Sequence, residues 1–500
     1  MEAGKEMNDR INQYSTQTDF GYGFATFQNP VWNLTQVLQA TGGKVVSGHK
    51  TGGFRSICTD SRSIEPGDLF LALSGDRHDG VEFVYDAVRK GASGVIVSRE
   101  LDKSVPVPVI VVNETLKALG DMAAFRRALM PDLRLIAITG SSGKTTVKEM
   151  TAAILSQKYN VIKTKGNFNN LIGLPLSLLP VDYRHDFAVM EMGMNRPGEI
   201  ARLTEIAAPN IACIVNVQES HLAGLNSLDG VAAAKGELFQ GMKNWGKLVV
   251  NLDDPKIVGL AAACTQQKIT FGFNRKAHVR ATHIRNNGEK GMAYSLHVGK
   301  EKRRVWINGI GIHNIMNSLA AAAMTHAAGL GLERIATGLE LFKPFNKRLQ
   351  VLELSSGVKI VNDTYNANPS SVRAALDALS GLNKEGKRTV VVLGDMLELG
   401  DTSDSAHRAI GEYVAAMKVD YLMLYGSNFQ ATAAGARNAS MDVDRIQVFK
   451  SKAALATELE RMMAEHRLSK GDWVLVKGSR GMKMETIIDT LAGAEKEGTD

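Results

Sequence analysis

Short apolar runs alternate along most of the chain with longer amphipathic stretches, the pattern of strands and helices taking turns. Leu135–Ile138 is a run of branched side chains with the composition of a buried strand, and Val147–Ser156 after it reads as a helix. Further strands are predicted at Val161–Ile162, Phe187–Met190, Ile211–Val215 and Lys247–Val250, with helices around Glu199–Ala207 and Leu228–Gly241 between them. This alternation predicts a largely parallel sheet covered by helices, with ligand loops at its carboxyl edge. Residues 276–306 differ: short alternating strands carry His278, His283 and His297 without tight ligand spacing, so a sheet extension is expected. Asn314–Ala328 reads as an alanine-rich helix broken by Gly329–Gly331.

The same reading divides the rest of the chain. Residues 1–25 are polar and poor in aliphatics and are expected to be a flexible tail. Trp32–Thr41 reads as a first helix with Asn33 as a possible cap. Strands at Phe70–Leu73 and Val95–Val97 flank a helix from Val81 to Lys90 ended by Gly91, which makes 26–112 a small mixed domain. Thr115–Met130 is helical and leads into a central domain, 113–340. A composition change near Lys343-Pro344 opens a third α/β unit, 341–500. Its strands fall at Val358–Asn362, Thr389–Leu393, Tyr421–Leu424 and Trp473–Lys477, its helices at about Ser370–Leu379, Ser405–Met417, Lys452–His466 and Met484–Leu491.

Candidate chemistry starts where the first central strand ends. Gly140, Ser141, Ser142 and Gly143 form a turn, and Lys144, Thr145 and Thr146 open the helix. Such a turn points successive N–H groups inward, and the helix start adds unsatisfied N–H groups and a favourable dipole. Lys144 supplies a mobile positive charge and the Thr145 hydroxyl is placed for Mg2+. The usual motif has a glycine six positions before the lysine; Ile138 stands there, so a shortened loop from Gly140 must do the cradling. The alternative is an ordinary Gly/Ser turn before a surface lysine.

Other polar groups also follow apolar runs. Glu191 ends FAVM, and His221 lies five residues beyond the Asn216 that follows IACIV; both suit a metal beside phosphates or a purely structural role. Asp363 follows the strand ending at Asn362, while Asn368-Pro369 also suits a helix start. Asp395, Glu398 and His407 after VVVLG, and Lys477 and Arg480 after WVLV, form a rim that either receives an amine and a carboxylate or is a surface ion-pair network. Ser61, Arg62, Asp76 and His78 sit in polar loops of the first domain that could bind an oxygen-rich anion but alone read more often as turns.

Composition narrows the class further. With 44% hydrophobic and 22% charged residues, the chain is an ordinary globular protein. No run approaches the roughly 18 apolar residues of a membrane span. The N-terminus lacks the apolar core of a secretion signal, making the cytoplasm the expected compartment. Cys58, Cys213 and Cys264 suggest neither a disulfide framework nor a zinc site. The formal charge of +7 fits an anionic small substrate as well as a nucleic acid, and no long Lys/Arg block is present.

The full set of motifs resembles the Mur ligase family over roughly residues 32–495. They are TGSSGKTT at Thr139–Thr146, KGNFNN at Lys165–Asn170, EMGMNRPGEI at Glu191–Ile200 and AAAKGE at Ala232–Glu237. GIHNIMN at Gly311–Asn317, KRLQ at Lys347–Gln350, NDTYNANP at Asn362–Pro369 and LGDMLELG at Leu393–Gly400 complete the set. The resemblance implies three domains: a small UDP-binding domain, a central P-loop parallel-sheet domain and a C-terminal Rossmann-like domain. It implies ATP-dependent amide formation between UDP-N-acetylmuramoyl-tripeptide and D-alanyl-D-alanine by a monomer without a nucleic-acid partner. On that comparison Lys144 binds phosphate, and Thr145, Glu191, His221 and an N-carboxylated Lys235 hold Mg2+, an unmodified helical Lys235 being the alternative. Asn314, Arg348, Asp363, Tyr365 and Asn368 are nucleotide contacts by the same comparison. Ser61, Arg62, Asp76 and His78 face the UDP group; Asn167, Asn169 and Asn170 face the muramoyl peptide; and Asp395, Glu398, Lys477 and Arg480 face the dipeptide. The alternatives are another Mur-type amino-acid ligase or a folate-polyglutamate-type ligase, with similar phosphate chemistry but a different acceptor and amine, and a noncatalytic nucleotide switch that binds ATP without forming an amide.

Overall fold

The computed structural model of the chain describes residues 32–48, 52–75, 79–220, 222–344, 346–383 and 386–497, with side chains to 493. Asp76, His78 and His221 lie outside the described residues, as does the predicted tail.

The apolar runs of the middle region build a nine-stranded sheet. Seven strands from Val161–Lys163 to Val279–Asn286 run parallel, in the spatial order Val161–Lys163, Phe187–Glu191, Arg134–Thr139, Ile211–Ile214, Lys247–Asn251, Gln267–Gly272 and Val279–Asn286. Met292–Val298 and Glu301–Ile307 then extend it antiparallel, as residues 276–306 led us to expect. The inner strands are apolar at successive positions because both faces are covered. Along Arg134–Thr139, Leu135 and Ala137 enter one core while Ile136 and Ile138 enter the other. Ile138 is fully buried and paired in the strand, so the phosphate turn starts only after Thr139.

The N-terminal domain is a five-stranded sheet ordered Lys44–Ser47, Val109–Val111, Gly94–Val97, Leu69–Leu71 and Ile57–Cys58. The first helix is Leu34–Thr41, two residues shorter than expected, because Trp32–Asn33 pairs with Gly53–Phe54. Asn33 is its cap: the side chain accepts from the Gln36 amide while Gln36 reaches back. The Val81–Lys90 helix is broken in two, a 3-10 turn at Gly80–Phe83 and a helix at Val84–Arg89, since the Asp79 side chain caps Val81 early. Trp32 and Phe54 share one continuous core with Leu119 and Met122 of the Thr115–Ala128 helix, so this domain is seated on the central one through that helix.

The C-terminal unit has its own six-stranded sheet, ordered Gln350–Glu353, Lys359–Asp363, Trp473–Lys477, Thr389–Gly394, Tyr421–Tyr425 and Ile446–Phe449, parallel except for the first strand. The pattern of residues missed its Phe429–Asn438 helix, whose buried positions are only Ala, Gly and Thr. That helix lies against Ser403–Ala416 by close backbone approach: a Cβ on Gly411 would fall 1.9 Å from the Thr432 carbonyl oxygen. Gly411→Ala is therefore expected to cost about 2–4 kcal/mol, an overpacking penalty that backbone cannot relieve cheaply. Denaturant unfolding of the C-terminal unit reads it; an unchanged midpoint would refute this packing.

Candidate active site

The carboxyl ends of the central strands meet polar loops of the C-terminal unit across a cleft of about 1360 Å3. Gly143 enters the Lys144–Leu155 helix at φ +83°, and a Cβ there would sit 2.4 Å from Asn317 Oδ1. Only glycine suits this corner. The turn is held from the neighbouring strand end. Asn216 Oδ1 accepts from the Ser142 amide at 2.9 Å, its Nδ2 donates to the Ser142 carbonyl at 3.1 Å, and the Ser141 hydroxyl donates to the Gln218 carbonyl at 2.7 Å. Asn216 and Asn317 were not among the expected site residues, because their contacts join segments remote in sequence.

Lys144 Nζ donates to the Gly140 carbonyl at 2.7 Å. Burial pushes its pKa down, opposed by Glu191 and reinforced by Arg348. Thr145 donates to Glu191 Oε2 at 2.9 Å, and Asn169 Nδ2 donates to Glu191 Oε1 at 2.8 Å. Lys148, one helical turn beyond Lys144, is buried with Nζ 2.8 Å from the Thr164 carbonyl and 3.8 Å from Glu191. Spacing from Lys144 was the only signal that could have singled it out.

The C-terminal unit supplies the opposite wall. Arg348 donates to Thr145 Oγ1 at 2.8 Å and lies 3.9 Å over the Tyr365 ring, with a buried Nε that has no hydrogen-bond partner among the described residues. Asp363 Oδ1 accepts from the Leu349 amide at 3.1 Å and its other oxygen pairs with buried Lys477. Asn368 caps the Pro369–Leu382 helix, and its Nδ2 donates to Ser142 Oγ at 3.3 Å across the cleft. Arg480 pairs with Glu485 at 2.7 Å and keeps more than half its side chain exposed.

The remaining expected residues divide. Asn167, Asn170, Asn314 and Glu398 line the cleft. Asn170 Oδ1 also caps the Gly173–Leu178 helix through the Gly173 amide at 2.8 Å. Asn314 spends Nδ2 on the Ile310 carbonyl and accepts from Asn317. Asp395 does not face the cleft: its two oxygens accept from the Ser427 and Asn428 amides at 2.7 and 3.0 Å. Both oxygens of this carboxylate are engaged in holding a turn. His407 is likewise buried, accepting from the Met396 amide at 3.0 Å. In the first domain Arg62 forks onto Asp60 and holds its carboxyl at about 2, while the Ser61 carbonyl accepts from Lys90 at 3.0 Å.

Lys235 is buried on the Leu228–Gln240 helix behind Met194, whose sulfur lies 3.6 Å from Nζ. Burial and the nearby Lys144 push its pKa well down. Among the described residues no carboxylate pairs with Lys235, so nothing there offsets the cost that burial puts on its charged form.

A glycine phosphate loop facing a second domain's cations across a deep cleft defines a P-loop enzyme whose substrates meet at a domain junction. Models described as the catalytic domain of the Mur ligase family, the Mur ligase middle domain and the glutamate ligase domain of Mur ligases match residues 54–127, 138–325 and 347–480. A UDP-N-acetylmuramoyl-tripeptide–D-alanyl-D-alanine ligase of Bacillus subtilis is 38% identical, over 87% of this chain and 92% of its own length. The crystal structure I of MurF from Acinetobacter baumannii superposes with a TM-score of 0.86 at 34% identity, covering 93% of this chain and 99% of that one. MurF ligase from Thermotoga maritima in complex with ADP gives 0.78 at 26% identity, covering 89% and 98%. The chain belongs to the Mur ligase family.

Proposed function

We propose that this chain joins the amine of D-alanyl-D-alanine to the terminal carboxylate of UDP-N-acetylmuramoyl-tripeptide, converting ATP to ADP and phosphate, in peptidoglycan precursor synthesis. The observation that carries this reading is the single cleft in which the phosphate loop, Glu191 and the C-terminal Arg348 converge, in a chain matched along most of its length by ligases of that name.

A carboxylate resists attack because it is electron-rich and has no good leaving group. Its oxygen attacks the γ-phosphorus of ATP, ADP departs, and the acyl phosphate so formed is attacked at carbon by the dipeptide amine. Phosphate leaves with one former carboxylate oxygen, and the amine loses a proton. Loop amides from Gly140 to Thr146 and the Lys144 ammonium would meet charge on the transferred phosphoryl group. Arg348 holds the nucleotide from the other wall, over Tyr365 and near Asp363 and Asn368, with Asn314 toward the base. Because Arg348 and Asn368 touch Thr145 and Ser142, closure of the C-terminal unit completes the nucleotide site and excludes water.

Thr145 and Glu191 offer adjacent hard oxygens, and Mg2+ commonly takes one or two carboxylates plus phosphates and water, so the donor set fits that ion. When bound, Mg2+ neutralises charge on the phosphate oxygens. His221 belongs to this reading by its place in the sequence. Burial favours the neutral form of the Lys235 amine, the form that adds CO2 and loses a proton to give a carbamate oxygen donor. Residues 26–112 take the UDP group through Ser61, Arg62, Asp76 and His78; 113–340 take ATP; and 341–500 take the dipeptide. Asn167, Asn169 and Asn170 face the acyl substrate. Arg480, more open than Lys477, is the better carboxylate partner, with Glu398 beside it. The protein works as a cytoplasmic monomer, and the reaction needs no nucleic acid.

Purified protein given Mg2+-ATP, the muramoyl tripeptide and D-alanyl-D-alanine is expected to yield the amide by mass, with ADP in equal amount. Omission of any one component abolishes the product. ADP release without any condensation overturns the proposal.

A further inference from the structure

The formal charge of +7 has a definite address. Between Arg275 and Trp306 stand nine Lys/Arg and two Asp/Glu, an excess of seven, so the other residues balance at 50 against 50. No long basic block is visible in the sequence because these charges alternate with apolar residues. Strand pairing lines four of them up on one face, Arg280, Arg285, Lys302 and Arg304, while Arg303 lies on the other and pairs with Glu333 and Glu340.

In the three-stranded antiparallel extension, Val279, Ala281, Leu296, Val298 and Val305 face the core under the Ile312–Ala327 helix. The opposite face carries Arg280, His297 and Lys302 in one register row, Thr282, Ser295 and Arg304 in the next, and Arg285, Ala293 and Trp306 in the third. No acidic side chain lies in these rows. Of the two acids, Glu289 is occupied by Lys359, and Glu301 is paired across from the buried Val298, hence on the other side of its strand. Trp306 is 47% exposed at the end of this face. None of these residues lines the catalytic cleft.

We propose that this face docks the protein on an anionic phospholipid surface. Long cationic side chains on one side of an open sheet match a plane of headgroups, and a half-exposed tryptophan at the margin is the residue type that settles at a membrane interface. The curved grooves of a nucleic-acid duplex, by contrast, call for a protruding helix or ribbon. Contact of this kind is peripheral and reversible, in keeping with the absence of any helix, among the described residues, long and apolar enough to cross a membrane.

Co-sedimentation with vesicles tests it. The full chain is expected to bind vesicles of phosphatidylethanolamine with about 30% phosphatidylglycerol, but not pure phosphatidylcholine, and to release as salt rises well above ~0.1 M. The triple variant Arg280→Gln, Lys302→Gln, Arg304→Gln should bind at least about tenfold more weakly and Trp306→Ala less strongly than the parent, both with unchanged turnover, which also reports an intact fold. Equal binding by the triple variant, tighter binding to single-stranded RNA than to vesicles, or no vesicle binding at ~0.1 M salt overturns the proposal and leaves the face as solvating charge on an exposed sheet edge.

Discussion

Lys144→Ala is expected to lower turnover by at least about 10³-fold while leaving the melting temperature nearly unchanged. Among the described residues the side chain makes one hydrogen bond, to the Gly140 carbonyl, so its removal breaks little of the fold. Its charge matters in a different state: near Arg348 and above the helix start, it adds to a positive field that ATP phosphates fill. The loss should therefore fall mainly on kcat, because charge on the transferred phosphoryl group peaks on the way to the acyl phosphate. Steady-state kinetics with thermal melting reads both quantities. Normal turnover in this variant would remove Lys144 from the chemistry, and a collapsed melting curve would make it a structural residue.

The second large effect concerns Lys235. Lys235→Met places a thioether of similar volume against Met194, where the buried amine has no carboxylate partner among the described residues. Replacing a buried ionisable group by a well-packed apolar one is commonly neutral or stabilising, so the melting temperature should hold or rise by a few degrees, with each kcal/mol worth about 2–4 °C. Turnover should nonetheless fall on the order of 10³-fold, because the carbamate oxygens are lost. The pH sign follows from the depressed pKa. The folded state binds fewer protons at Lys235 than the unfolded chain, so this group penalises folding most below its folded pKa, and the penalty fades as pH rises toward the ordinary lysine value. Labelled bicarbonate should give a carbamate carbon signal in the parent that is missing from the variant. A signal surviving in Lys235→Met would place the carbamate elsewhere, and a strongly destabilised variant would mean that the lysine carries a hidden ion pair.

How much of this was legible in the sequence depends on the kind of contact. Strands buried on both faces appear as uninterrupted apolar runs, so the central sheet and most of the C-terminal sheet could be read directly; Phe187–Glu191 and Trp473–Lys477 are examples. The glycine turn was legible because Gly143 must occupy a left-handed corner at a helix start. The Phe429–Asn438 helix was not, since it packs by small residues and backbone proximity rather than by an apolar stripe. The same limit applied in the site. A carboxylate following a strand looks alike in sequence whether it lines the cleft, as Glu191 does beside Thr145, or closes a turn, as Asp395 does. Contacts such as Arg348 to Thr145 join parts of the chain far apart and arise only when the two domains meet. The basic sheet face was hidden for a third reason, because alternation in a strand spreads one surface over every second residue.

Isotope transfer tests the chemistry most directly. Muramoyl tripeptide labelled with 18O in its terminal carboxylate is turned over with ATP and D-alanyl-D-alanine, and the released phosphate is weighed. One labelled oxygen should appear in phosphate for each amide formed, since the oxygen that attacks the γ-phosphorus leaves with it. Unlabelled phosphate alongside amide formation would contradict activation of the acid by phosphoryl transfer.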